Sequence, residues 1–327
     1  MMLHCATIVV AAIVFSSSRG AEPPPAPWTA DGAMRPWSVT GKIAKGKDAS
    51  AAALVGPGSG IVASDETRFV QLIDLDPSAR TILAGAQIEL LPGEGTELDI
   101  EAAATAEDSG DLYLLGSHGK ARKKDVIEAT RSMIFRVPLD SATGRPAAGG
   151  HAKASLREWI TATPEIARAL DAPTDGAGLD FEGMAERAGT LFIGVRAPLV
   201  DGRAVILEIP AAEVFGAAAG TARPAAKVHR LNLGPGLGIR SLERIADGFL
   251  LIAGAAAPDP DEGAEFILCH WPGPGSEVSE ITRLRDLPGK AEGMMVVATG
   301  PATMELLFWF DGAKNGGPRS LVLRRGR

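Results

Sequence analysis

Five times along the chain a segment opens on polar residues and turns apolar: "DASAAAL" from Asp48, "DIEAAAT" from Asp99, "DFEGMAE" from Asp180, "GIRSLER" from Gly238 and "KAEGMMV" from Lys290. A stronger apolar element follows each one, "IVASDE", "LYLLGSHG", "LFIGVRAP", "LLIAGAA" and "LLFWFDG" in turn, and then a third and usually a fourth. The elements are short, many alternate in polarity, and Gly, Pro or Asp bounds them, which is the pattern of antiparallel strands. A fixed order repeating at about fifty residues, three or four strands at a time, predicts a β-propeller with one blade per repeat. A β-sandwich would leave the five-fold order unexplained.

The chain is therefore expected to be all-β, a single propeller of five blades over residues 36–327. The starts lie 51, 81, 58 and 52 residues apart, and the long interval holds the one clear helical pattern, "SLREWITATPEIARAL" from Ser155 to Leu170. There Leu156, Trp159, Ile160, Ile166, Ala167 and Leu170 share a face, with Pro164 opening a second segment behind a Thr163 N-cap. An irregular six-bladed ring, its extra blade drawn from that interval, is the alternative; it fits less well because the interval has only one complete three-strand set. The last repeat ends after three strands. "WSVTGKIA", Trp37 to Ala44, is expected to supply its outer strand and close the ring, hiding an open edge.

Ahead of the propeller, the apolar run Cys5 to Phe15 followed by "SSSRG" reads as a signal peptide cleaved after Gly20, although no Lys or Arg precedes the run. Residues 21–35, opening "AEPPPAP", read as a proline-rich spacer. Export to the periplasm or outside the cell, without a stable membrane anchor, is the expectation, and the mature chain is expected to be a monomer. Net charge is −7 and no basic run exceeds "ARKK", Ala121 to Lys124, so a nucleic-acid partner is not expected. Only Cys5 and Cys269 are present, so a mature chain has no internal disulfide and no paired-cysteine metal knuckle, and Cys269 reads as a small core residue.

The inner strand of each blade lines the central axis, so the polar heads should converge on one mouth of the channel. Asp99 with Glu101, Asp180 with Glu182, Gly238 with Arg240, Lys290 with Glu292, and Asp48 with Ser50 are expected there, both members of a pair on one side of the strand. Ends of the second strands would add Asp65, Glu66, His118, Arg196 and Asp311. The first member of each pair reads equally as a site residue and as a structural acid that ties blades together. The second members, Glu101, Glu182, Arg240 and Glu292, differ in charge from blade to blade, which favours a site. His118, in "GSHG", is expected to be an accessible imidazole. GxSxG, HExxH, Walker and EF-hand patterns are all missing.

"LDIEAAAT", "LYLLGSHG", "GLDFEGMAERAGTLFIGVRAPLVDGRAVILEI" and "GLGIRSLERIADGFLLIAGAA", in that order, resemble a bacterial family known as domain of unknown function 3616. That resemblance supports the boundaries and implies no activity. A more distant similarity is to phytase-like and esterase-like propellers, through Glu182-Gly183-Met184 and Glu292-Gly293-Met294. It implies Ca²⁺ held by mouth carboxylates, Asp99 and Asp180 among them, and a metal-activated water attacking a phosphoester. Arg240 and Lys290 depart from an all-acidic ring. Two functions follow as expectations. One is a hydrolase of a small anionic or phosphorylated substrate, with Glu101, Glu182, Glu292 and His118 catalytic and Arg196, Arg240 and Lys290 on the substrate. The other is a non-catalytic propeller holding a ligand or protein partner at the same mouth.

Overall fold

The structure, a computed structural model, describes residues 27–326 except 92–96, 122–125, 141–142, 148–149, 173–177, 217, 219 and 258–264. The signal-like segment and residues 21–26 of the proline-rich spacer lie outside the described residues. Five antiparallel sheets form the five blades of a propeller. Their inner strands are Ala49–Gly56, Ile100–Thr105, Asp180–Arg187, Leu237–Ile245 and Lys290–Thr299, and the strands of each blade follow one another outward in chain order, except that blades 1 and 5 gain outer strands from the N-terminal segment. The repeat starts read from sequence thus open the five inner strands.

Closure of the ring differs from expectation. Trp28–Ala30, within the stretch taken as spacer, pairs antiparallel with Arg319–Arg325 as the outer strand of blade 5, and Arg35–Pro36 adds to the same strand. Ser38–Thr40, inside the segment expected to close the last blade, lies parallel on the outer edge of blade 1 against Thr81–Glu89. Trp28 explains the choice, because its ring is buried in the core between blades 4 and 5 while Trp37 is buried in the core between blades 5 and 1. One tryptophan per seam places each strand.

The hydrophobic side chains form five clusters, one in each seam between neighbouring blades. Inner strands are buried on both faces, which is why their sequences run so apolar after the polar head. Met294 and Met295 point into different seams, and Trp271, Trp309 and Cys269 are all buried core residues, the Cys269 thiol pushed up to about 12 by burial. The helical insertion is Arg157–Ala162 and Pro164–Ala167, continued by a 3₁₀ turn at Arg168–Leu170. It covers the seam between blades 2 and 3 with Leu156, Trp159, Ile160, Ile166 and Leu170. Thr163 sits at the cap position, but its hydroxyl donates to the Trp159 carbonyl at 2.8 Å and accepts the Ala226 N–H at 2.9 Å. It fastens the insertion to the chain entering blade 3's outer strand rather than capping the second helix.

Candidate functional site

All five inner strands carry a β-bulge at the same place. Pairing with the second strand skips one residue between Ala49 and Ala51, Ile100 and Ala102, Phe181 and Gly183, Ile239 and Ser241, and Ala291 and Gly293. The skipped residues are Ser50, Glu101, Glu182, Arg240 and Glu292, the second members of the polar pairs. A bulge releases one residue from the ladder and re-aims its side chain, so the repeated register defect sets the inner lining of this mouth. Close packing accounts for the glycine after two of them: a Cβ on Gly183 would stand 3.0 Å from Ile239 Cγ2, and one on Gly293 would stand 3.1 Å from Trp309 Cβ.

Blades 3, 4 and 5 use these positions to hold one another. Arg240 is 3% exposed; its Nε lies 2.9 Å from Glu182 Oε2, and its Nη2 donates to Glu292 Oε1. Arg196, from the second strand of blade 3, places Nη1 2.8 Å from Glu182 Oε1 and 3.2 Å from Asp180 Oδ2. Its Nη2 also donates to the Ala257 carbonyl at 3.0 Å. Two guanidiniums therefore alternate with three carboxylates across three blades. The tie between blades expected of the first member of each pair is made here chiefly by the second. Arg196 and Arg240, expected to face a substrate anion, have their donors turned onto protein carboxylates and carbonyls. Burial pushes the Glu292 carboxyl up to about 8, against the pull of Arg240. Lys290 turns aside, its Nζ 3.2 Å from Asp311 Oδ2 in a partly exposed pair.

Blades 1 and 2 are different. Asp65, just past the second strand of blade 1, meets Asp99 and Glu101 so closely that one carboxylate oxygen from each lies within 4.8 Å of the others. Backbone bonds fix the approach: Asp99 N–H donates to the Asp65 carbonyl at 3.1 Å, and Ser117 N–H donates to the Asp99 carbonyl at 3.0 Å. Asp99 adopts a left-handed φ of 53°, one of the few non-glycine residues to do so, and its side chain pairs with the Arg131 guanidinium. Asp65 Oδ1 is buried and has no hydrogen-bond partner among the described residues. Burial first, then the charge of Asp99, pushes the Asp65 carboxyl up to about 7 and Glu101 well above the usual carboxylate range. Ser50 is uncharged, and its hydroxyl donates to the Ile100 carbonyl.

Three carboxylates meet one guanidinium, which pairs with Asp99, so among the described residues the acids outnumber the base here. All donors in the cluster are hard oxygens at a separation that one cation bridges, and one is a buried atom lacking a partner, so the set fits a cation such as Ca²⁺. Asp180, expected as a metal ligand with Asp99, is turned to Arg196 instead. Arg131 was not foreseen; a lone arginine in the connection between the second and third strands of blade 2 carries no sequence signal.

His118 overturns its expectation of accessibility. It is 2% exposed, Nδ1 donating to the Gly116 carbonyl at 2.9 Å while Nε2 accepts the Leu156 N–H at 3.2 Å, and its ring packs on Phe181. Burial lowers its pKa to about 4, so it is neutral at physiological pH. The small residues of "GSHG" let the imidazole fold inward, where it anchors the first turn of the helical insertion.

The family model "Protein of unknown function (DUF3616)" matches residues 138–316. This chain belongs to the DUF3616 family. No curated protein matches it. Among solved structures it is similar to a putative oxidoreductase (glucose dehydrogenase) from Thermus thermophilus, at 13% identity and TM-score 0.35, over 90% of this chain and 98% of that one. It is similar also to regucalcin, a calcium-binding protein from Agrobacterium tumefaciens, at 11% identity and TM-score 0.39, over 90% and 95% of the two chains. A streptogramin B lyase aligns at 10% identity and TM-score 0.37, over 90% and 97%. At these scores the likenesses carry no implication for what this DUF3616 chain binds. Among the described residues no helix is long and apolar enough to cross a membrane.

Proposed function

We propose that this DUF3616 propeller binds a divalent cation, Ca²⁺ the fitting ion, through Asp65, Asp99 and Glu101, and that the cation recruits a small anionic or phosphorylated ligand to the mouth for hydrolysis. The observation that carries this reading is the convergence of three carboxylates in a half of the mouth whose bulge residues include no base. Leaving them charged costs free energy through mutual repulsion and desolvation, and a bound cation removes both penalties. When bound, the ion would polarise a phosphoryl or acyl oxygen and acidify a water. Glu101 would take up a proton released beside the ion, while Arg131 holds the Asp99 side chain in place. Glu182, Arg240 and Glu292 frame the site, and His118 supports it from behind. The signal-like residues 1–20 support an exported setting for this activity. A non-catalytic binding mouth is the second reading, favoured by one observation: Arg196 and Arg240 are already bonded to protein groups, so the anion would have to be held through the cation.

Thermal unfolding of the chain with Ca²⁺ and Mg²⁺ tests the proposal. At a hundred times Kd the cation stabilises by about 2.7 kcal/mol, and Asp65→Asn/Glu101→Gln should abolish that gain. A cation response that survives in the double variant, or no response in the wild type, overturns the site. Cation-dependent turnover of p-nitrophenyl phosphate, lost in Glu101→Gln, separates hydrolysis from binding.

A further inference from the structure

The channel has a second mouth, at the opposite ends of the same five strands. A cavity of about 390 Å³ opens there, lined by residues of all five inner strands. Its volume lies within the range of small-molecule sites. Ala53, Ala104 and Ala185, from three consecutive blades, keep the wall thin while packing their methyl groups into the seams, Val296 and Val297 from blade 5 supply apolar surface, and Glu243 and Arg244 enter from blade 4. Glu243 stands three residues beyond the bulge residue Arg240, roughly 10 Å along the strand.

The polar groups of this mouth are nearly all accounted for. Thr105 Oγ1 donates to the Leu54 carbonyl at 2.6 Å. Glu186, 2% exposed, accepts the N–H groups of Gly189 and Glu107 on its two oxygens. Arg244 Nη1 lies 3.1 Å from Glu107 Oε1 at the rim. Among the described residues Glu243 accepts the Val296 N–H, although a carboxylate can accept several hydrogen bonds. Glu243, Glu186 and Glu107 oppose the single guanidinium of Arg244, so the potential here favours a positive guest. The facing strands of blades 1 and 5 present Ala53, Leu54, Val296, Val297, Ala298 and Thr299, none of which titrates. Burial pushes the Glu243 carboxyl up to about 7, against the pull of Arg244, which marks the cost of keeping it charged without a partner.

We propose that this far mouth is a second ligand site, for a small aliphatic primary amine, with the Glu243 carboxylate receiving the ammonium group and the alanine–valine wall receiving the hydrocarbon. Three N–H donors of an ammonium match the open acceptor positions of the carboxylate, and a short alkyl chain covers the apolar part of the lining. The site does not depend on the cation cluster, whose carboxylates belong to the other mouth.

Titration of the full chain with butylammonium, followed by the methyl signals of Ala53, Ala104 and Ala185, tests it. Saturable shifts are expected. Affinity should rise roughly tenfold from pH 6 to pH 8 as Glu243 ionises, since butylammonium stays protonated throughout. Glu243→Gln should weaken binding roughly tenfold or more, and Ala298→Trp, which fills the mouth from an exposed lining position, should block it while leaving the far carboxylates untouched. Equal binding of neutral pentanol, an unchanged affinity in either variant, or no saturable shift overturns the proposal. A response lost in Glu101→Gln but kept in Glu243→Gln would place the amine at the other mouth and overturn it as well.

Discussion

Two halves of one mouth are built from the same bulge and do opposite things. Around the ring the bulge residues run Ser50, Glu101, Glu182, Arg240, Glu292. Arg240 stands between two acids and bonds both, so blades 3 to 5 are joined by their own charges. Glu101 stands between a serine and an acid, and no ionic partner reaches it from the neighbouring bulge positions. What a side chain does here is decided by the residue one blade away, fifty or more positions distant in sequence, rather than by its own type.

The largest effect should come from breaking the neutralised half. Glu182→Ala strands Arg196 and Arg240 in a buried setting, and loss of one partner from such a network costs about 3–5 kcal/mol. Urea unfolding should show the midpoint fall with an unchanged slope; a loss under about 1 kcal/mol would mean that the girdle does not join the blades. The opposite sign is expected in the acid half. Asp65 titrates near 7 in the folded chain, above its ordinary range, so its contribution is fully present in acid and is lost as pH rises from about 4 through 7. In cation-free buffer at pH 8, Asp65→Asn should therefore stabilise by roughly 1–2 kcal/mol, with a flatter stability profile between pH 4 and 7. A destabilised Asp65→Asn would erase the contrast between the halves. The smallest effect belongs to Lys290, whose pair with Asp311 is partly exposed; Lys290→Ala should cost less than about 1 kcal/mol in the same unfolding measurement.

The five-fold order was legible because a polar head on an apolar strand is a local pattern that survives repetition. The converging heads were legible for the same reason, and Asp99, Glu101, Asp180, Glu182, Arg240 and Glu292 do gather at one mouth. The partners were not. Whether Glu182 serves chemistry or ties blades depends on Arg240 and Arg196 arriving from other strands, and whether His118 is open depends on the Leu156 N–H docking over it. Closure by Trp28–Ala30 escaped because a three-residue strand behind prolines has no periodicity to detect; only the burial of Trp28 singles it out.

The bulges have a consequence for how such a ring changes over time. A side chain within a regular ladder is constrained by its cross-strand neighbour, so replacing it disturbs pairing as well as chemistry. The five bulge side chains are free of that constraint, because the second strand skips them. Serine, glutamate and arginine already occupy the same socket in one molecule without altering the strands that hold it. Ser50 and Glu101, the two that no neighbouring bulge residue ties down, are the positions where a family of such chains can exchange one side-chain chemistry for another at constant architecture.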